Sequence, residues 1–480
     1  MTGFQPPSIV FQGTRWPSEA LTGMAVAWRD ALGARVESAP LTAMVMSNHP
    51  ESVALFFALS SVSAPLALLP PDLEPWRSAP ALPGQTRLVL LDRQRALEAR
   101  ARSLGVDTTV LAAAPPAAST ADARFMTTPG LVLFTSGSTG RPRPLYRSTA
   151  ALLNVARTLV ATLGLRPGAG VITSLPLARA FGLNHGLMAA GVLRSPLALL
   201  DRFDHTALLR LFASREYGYW VGTPMMADVL GRCPLAGAHP APPVCLIGGR
   251  LSADVVRRFR RRFGVSLRQG YGTTETGSIA VDSAPDAEVR SDTSGRPLPG
   301  VAVRIGDDPR APVDAGTPGR IWLSAREYMM NGYGFPPDLE PAPMVAGWWA
   351  SPDLGILDAD GYLTVCGRLD DCFRTNAGHL VNPALVAQAL EQYPGVVDAA
   401  VVPLPGRAGP VLGVLVESAE RLSVSTLRGH LARSVPAWCQ PRVIESTVTL
   451  PRLASGRIDR RTCIAILEQA LAGDGGADHA

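Results

Sequence analysis

With 480 residues, 47% hydrophobic and 18% charged, the chain has the make-up of a folded globular protein long enough for two or three domains. A net charge of +5 is modest for that length, and the densest basic run, RRFRRRFG at 257–264, has no stacking pattern of aromatics; it reads as a solvated helix face, and no nucleic-acid partner is expected. Lysine is absent altogether: all 45 basic residues are arginine, although lysine is normally among the commonest residues. The opening residues, MTGFQPPSIV, show no basic region followed by an apolar one, so no leader peptide is expected and a cytoplasmic location is. The apolar run VALFFALSSVSAPLALLP (53–70) reaches membrane length, but Pro65 and three serines break it. A buried helix followed by a strand is predicted there, and no membrane partner. Up to about residue 290, short apolar strands such as LVLL (88–91), GVITSLPL (170–177) and VCLIGG (244–249) alternate with longer amphipathic segments. That alternation is the pattern of doubly wound α/β sheets. From about 295 the texture changes to short strands and turns (GVAVRIG, GRIWLSA, GYLTVCG), which predicts a small β-rich subdomain. Beyond Asp371 a compact α+β unit follows, with helices near NPALVAQALEQY and SVSTLRGHLARSV and strands DAAVVPLP and PVLGVLVES. The six cysteines (233, 245, 366, 372, 439 and 463) have no CxxC spacing, and the seven histidines form no HExxH cluster; thiols and imidazoles read as structural, with no zinc site.

The stretch LVLFTSGSTGRPRP (131–144) carries the strongest local signal. A short buried strand runs into Thr135, Ser136, Gly137, Ser138, Thr139 and Gly140, which crowd backbone N–H groups and hydroxyls into one turn. Such a concavity holds anions without a charge of its own. It is not a Walker loop, because no Gly-Lys-Ser/Thr follows at the required spacing. Downstream come, in order, YGTTETG (271–277), SGRPLPG (294–300), GWWASPDLGILDADGYLTVCGRLDD (347–371) and LPRLASGRIDRR (450–461).

This ordered set resembles the adenylate-forming superfamily of acyl-CoA synthetases, aryl-acid ligases and peptide-synthetase adenylation domains, over residues from about 40 to 465. The resemblance implies a large N-terminal domain (1–366, with the β-rich part at about 295–366), a hinge at 367–371 and a small mobile C-terminal domain (372–480). It implies ATP and Mg²⁺ as cofactors. The loop Thr135–Gly140 would embrace the β- and γ-phosphates, and Gly248, Gly249, Arg250 and Leu251 would lie against adenine. Tyr271 would stack near the base, beside Gly272 and Thr273; Thr274 would contact the α-phosphate and Glu275 would hold the metal. A carboxylate near three phosphates requires a hard cation between them. Asp353 would accept both ribose hydroxyls, with Arg368 reaching the same sugar; Asp370 takes the hinge position. The stretch 373–383 takes the place of the loop that serves the second half-reaction, with Gly378 along the path of the nucleophile.

Three positions depart from the family pattern. Arg143 stands where the loop normally has lysine, followed by Pro144 instead of glycine. Arg457 stands where a lysine bridges the reacting carboxylate and the α-phosphate. Arg179, after Ala178, falls on a usual histidine. Arginine keeps the charge but is planar, larger and bidentate; Arg457 and Arg143, with Thr274 and Glu275, are therefore read as catalytic. The acid pocket is expected from Arg179–His185, Trp220–Met225, Ile247–Leu251 and Gly272–Ser278, with Arg179, His185, Trp220, Gly248 and Gly272 at its centre. It offers no acidic partner for an α-amino group, so an aryl or short acyl acid is expected and an ordinary amino acid is not. The acceptor, CoA, a separate acyl carrier protein or an amine, is external. Two alternatives stand beside this reading. Complete loss of lysine suits an enzyme that activates nitrite and diazotises an aminoaryl acid, since free amines would be its own victims. The other is a nucleotide-binding homologue without catalytic activity.

Overall fold

The computed structural model describes residues 4–71, 82–103, 106–112, 124–135, 142–233, 240–375, 378–406, 409–420, 422–452 and 458–474. It is a mixed α/β structure whose chain divides into two compact units. The first comprises residues 1–249, 259–302 and 323–349; the second comprises 250–258, 303–322 and 350–480.

Two large sheets form the first unit. In the eight-stranded sheet, Gly130–Phe134 lies between Leu66–Leu69, its parallel neighbour, and Pro144–Ser148, its antiparallel one. The antiparallel pairing brings Thr135 and Arg143, at the two ends of the loop, to the same end of the sheet. The apolar run at 53–70 resolves as foreseen into a helix, Pro50–Leu59, and the strand Leu66–Leu69. All ten helical residues except Glu51 are buried, which explains why its apolar residues show no stripe. The nine-stranded sheet is parallel through its middle, from Ile9–Phe11 to Leu267–Thr273. It then turns back on itself: Leu267–Thr273 and Gly277–Val281 make an antiparallel hairpin whose tip is Thr274–Thr276. The basic run lies on helix Ala253–Phe263, with Phe259 and Phe263 buried beneath its arginines. No helix among the described residues is long and apolar enough to cross a membrane.

In the second unit, residues 353–357 of strand Trp348–Leu357 pair antiparallel with Leu363–Arg368. A three-stranded sheet (Asp398–Leu404, Val411–Glu417, Val443–Thr447) has helices on both faces. Period-2 alternation decides which core each side chain joins. Ala399 and Val401 pack with Val386, Leu390, Leu427 and Leu431, whereas Ala400, Val402 and Leu404 pack with Cys463 and Leu467 of helix Arg460–Asp474.

The hairpin at 267–281 is backed by Arg296–Pro297, paired with Val281 and Ala280. Gly295 makes that approach possible: its φ is +78°, and a Cβ there would lie 2.0 Å from the backbone of Val281 and Asp282. Gly295→Ala is expected to lower stability by at least about 3 kcal/mol. Gly168→Ala, with φ +84° but nothing within 4 Å, should cost about 1 kcal/mol. Urea denaturation of the two variants checks the difference.

Candidate active site

The base of the 135–143 loop is closed by two hydrogen bonds. Thr135 N donates to Arg143 O (3.0 Å) and Arg143 N donates to Thr135 Oγ1 (3.2 Å). Ser136, Gly137, Ser138, Thr139 and Gly140 lie outside the described residues. The Arg143 guanidinium sits 3.6 Å from the centroid of the Tyr333 ring, and its Nη2 is 2.5 Å from Glu340 Oε2. Tyr333 in turn donates from its hydroxyl to Glu275 Oε1 at 3.2 Å. Burial, and then the Glu275 charge, push the phenol upward, so it stays protonated and remains a donor. One aromatic side chain thus links the arginine at the loop to the carboxylate on the hairpin.

Beneath this link lies Arg147, with no exposed surface. Its Nη2 donates to Thr276 O (3.1 Å) and Tyr328 O (2.8 Å), while Nε and Nη1 have no partner among the described residues. Burial lowers its pKa to about 10, and the Glu275 carboxylate opposes that shift; it is charged at neutral pH. Gly277, at φ +74°, leaves room for it, since a Cβ would come within 3.0 Å of both terminal nitrogens. Neither Tyr333 nor Arg147 emerges from the motifs. The available signal for Arg147 is a charge at the centre of an otherwise buried strand; Tyr333 gives none, because it meets Glu275 across 58 residues.

A cavity of about 200 Å³ opens beside the hairpin. Of the four predicted stretches, two supply its walls: Arg179, Ala180, Phe181, Asn184 and His185 from one, Gly272, Thr273, Thr274, Gly277 and Ser278 from the other. Phe134, at the end of strand Gly130–Phe134, completes it. Trp220 is not a lining residue. It is fully buried, stacked on Phe259 at 5.9 Å and edge-on to Phe212 at 5.4 Å, as a large apolar ring on a central strand prefers. Gly248 does not line the cavity but shapes it, because a Cβ there would lie 2.4 Å from the Phe181 ring. Gly249 has φ +124°. Gly272 allows the hairpin to close: its Cβ would meet Gly277 O at 2.4 Å. Tyr271 is buried on the same hairpin, opposite Ala280.

The wall at 180–188 begins as one α-turn and continues as a π-helix, Leu183–Met188, a form that concentrates at functional sites. His185 is held there by both ring nitrogens, Nδ1 3.0 Å from Tyr219 Oη and Nε2 2.8 Å from Ser278 Oγ. Burial lowers its pKa to about 3, so it is a neutral wall and not a cation. The Arg179 guanidinium makes no hydrogen bond or ion pair among the described residues.

The second unit carries the other predicted nucleotide contacts. Asp353 and Arg368 are register partners on antiparallel strands, with Arg368 Nε 4.0 Å from Asp353 Oδ1. Ser351 Oγ lies 3.2 Å from Asp353 Oδ2 and accepts from Asp353 N at 3.1 Å. Arg368 Nη2 also reaches Asp370 Oδ2 (3.3 Å). Arg250 pairs through both terminal nitrogens with Glu391 on helix Pro383–Glu391, whose carboxyl is pushed up to about 7 by burial. Arg457 lies outside the described residues. The stem of its loop is a bridge between Arg452 and Ile458, and Arg452 is ion-paired with Asp398 (2.7 Å).

Two large sheets that flank a small cavity, with the Glu275 hairpin supplying one wall of it, make a ligand-binding α/β architecture. Residues 19–334 match the model of the AMP-binding enzymes, and the chain belongs to that family. It is similar to benzoate–CoA ligase of Thauera aromatica, 29% identical over 343 residues, which are 68% of this chain and 64% of the relative. It is also similar to sulfoacetate–CoA ligase of Cupriavidus necator, 29% identical over 394 residues (78% and 77%). The fold matches ATP-bound MatB from Rhodopseudomonas palustris at TM-score 0.80, 22% identity and 97% and 96% coverage. The amide bond synthetase McbA from Marinactinospora thermotolerans matches at TM-score 0.78, with 23% identity and 97% coverage of both chains.

The buried imidazole makes stability depend on pH. Its folded pKa, about 3, lies below the ordinary 6.5, so the unfolded chain binds a proton that the folded chain refuses. The stabilisation is complete above about pH 6.5 and is lost as pH falls towards 3. Relative to His185→Gln, the wild type should lose about 1.4 kcal/mol more per pH unit between about pH 6 and pH 4. Denaturation curves of both proteins across that range provide the check.

Proposed function

We propose that the protein is an AMP-forming ligase. It activates an aryl or short acyl carboxylate with ATP as the acyl adenylate, releases pyrophosphate, and passes the acyl group to an external thiol (CoA or a carrier protein) or amine. The observation that carries this reading is the shared cavity: Thr274, at the hairpin tip, lines the same space as Arg179, Phe181 and His185. An acid held there lies against the residue assigned to the α-phosphate. One of its carboxylate oxygens attacks the α-phosphorus, the bond to the β-phosphate oxygen breaks, and pyrophosphate leaves with the electron pair. The names of the relatives support a carboxylic acid and a thiol or amine acceptor.

The residues present fit the cofactors. Glu275 offers a hard carboxylate oxygen, the donor type that Mg²⁺ takes; bound there, the ion would neutralise phosphate charge. Arg143 stacks on Tyr333 and supplies positive charge at the loop, Asp353 with Arg368 takes the ribose, and Arg457 delivers charge to the reacting centre. Residues 367–371, with Asp370 in the 3₁₀ turn Leu369–Asp371, serve as the hinge for 372–480. The absence of lysine favours one second reading, activation of nitrite for diazotisation of an aminoaryl acid.

Purified protein with Mg²⁺, ATP and a panel of aryl acids, fatty acids, and nitrite plus an aminoaryl acid should form AMP and pyrophosphate with one of them. ADP and phosphate would overturn the ligase reading, and ATP binding without turnover would mark an inactive homologue. Glu275→Gln is expected to cut turnover about 100-fold or more. Asp353→Ala should chiefly raise KM for ATP, by about 10- to 100-fold. Tyr333→Phe keeps the ring under Arg143 and deletes the hydrogen bond to Glu275; it should raise the Mg²⁺ concentration for half-maximal rate several-fold, measured by Mg²⁺ titration. Tyr333→Leu, which also loses the cation–π contact of about 0.5–2 kcal/mol, should weaken ATP use further.

A further inference from the structure

Tyr219, His185 and Ser278 form a chain of hydrogen bonds in which hydrogens outnumber links. Tyr219 Oη lies 3.0 Å from His185 Nδ1, and His185 Nε2 lies 2.8 Å from Ser278 Oγ. Burial lowers the imidazole pKa to about 3 and raises that of the phenol, so both are neutral. A tyrosine, a neutral histidine and a serine each bring one polar hydrogen to a chain with two links. One hydrogen is left over, and it falls at one end of the chain. At the tyrosine end it would be sealed in the core. Tyr219 has no exposed surface, and its hydroxyl has no other hydrogen-bond partner among the described residues. A buried donor left unmet is costly, and a donor on a cavity wall can be met by whatever the cavity holds. Ser278 lines the cavity, so the leftover hydrogen belongs there.

Within the ligase reading, on which this inference rests, we propose that Tyr219 and His185 are positioning residues that make Ser278 a hydrogen-bond donor to the acid, and that the acid carries an oxygen acceptor, separate from its reacting carboxylate, for that donor. Tyr219 donates to Nδ1, Nε2 donates to Ser278 Oγ, and the serine hydrogen is free for the acid. The reacting carboxylate belongs at the other end of the cavity. Ser278 pairs with Gly272, two residues before Thr274, which sets it ~7 Å back from the hairpin tip. An ether, carbonyl or hydroxyl oxygen on the acid meets the requirement; a methylene in its place leaves the serine hydroxyl unmet. Sites that hydrogen-bond a substrate group reject the analogue lacking it far more strongly than an apolar pocket rejects a missing methylene.

Two measurements test this. The first needs no substrate: ¹⁵N NMR of wild-type protein labelled in histidine, with the His185 signals identified by their loss in His185→Gln. A neutral ring protonated on Nε2 is expected, its two nitrogens giving well separated shifts; a proton on Nδ1 overturns the proposal. The second is pyrophosphate release, as kcat/KM, for pairs of acids that differ by an oxygen in place of a methylene. The pairs are methoxy- against ethyl-substituted benzoic and cinnamic acids at each ring position, and methoxypropionate against pentanoate. Wild type is expected to favour the oxygen member of at least one pair by about 10-fold or more, and Ser278→Ala to bring that ratio within about threefold. No preference in any pair that is turned over, or a preference that survives Ser278→Ala, overturns the proposal and leaves the ligase reading intact. Pyrophosphate release with no carboxylic acid removes the ligase reading itself, and with it an acid as the partner of Ser278.

Discussion

Tyr333 stands between two opposite charges, and the geometry of the first unit's polar site depends on it. Its face carries the Arg143 guanidinium and its hydroxyl holds Glu275. Without it, the carboxylate on the hairpin and the arginine beside the loop would have no common support. Arg147 underlies the same hairpin from the core, donating to Thr276 O and lending a buried positive charge to Glu275. A partly buried carboxylate is unfavourable unless cations are arranged around it. The chain arranges two of them in the fold itself.

Arginine is suited to both positions in a way lysine is not. At 143 the planar guanidinium stacks on a ring while pairing with Glu340, and at 147 it donates to two carbonyls, of Thr276 and Tyr328, from one nitrogen. A flexible ammonium makes neither arrangement so well. The absence of lysine is therefore structurally tolerable at position 143.

Much of this was legible in the sequence, and the parts that were not share a cause. The strands expected at 88–91, 170–177 and 244–249, of which the second ends already at Thr173, and the broken apolar run at 53–70 follow from periodicity, which is local along the chain; that Asp353 and Arg368 are register partners was not foreseen. Trp220 was expected in the pocket because its stretch is near it in sequence, but strand alternation turns the indole into the core against Phe259. Arg250 was expected at the nucleotide from GGRL; the ion pair of its guanidinium with Glu391, 141 residues away, is a partner no local pattern shows. Tyr333 was invisible as an individual for the same reason: its significance lies in what tertiary packing places opposite its hydroxyl. The π-helical turn that presents Asn184 and His185 leaves no mark in the periodicity of six residues.

The most direct measurement follows oxygen. With the acid labelled by ¹⁸O in its carboxylate and a thiol or amine acceptor present, adenylate formation and transfer leave one labelled oxygen in AMP, bridging first and then carried off on phosphorus. Mass spectrometry of the AMP should show one ¹⁸O per molecule formed. Label in pyrophosphate, or AMP without label, would contradict attack of the carboxylate on the α-phosphate.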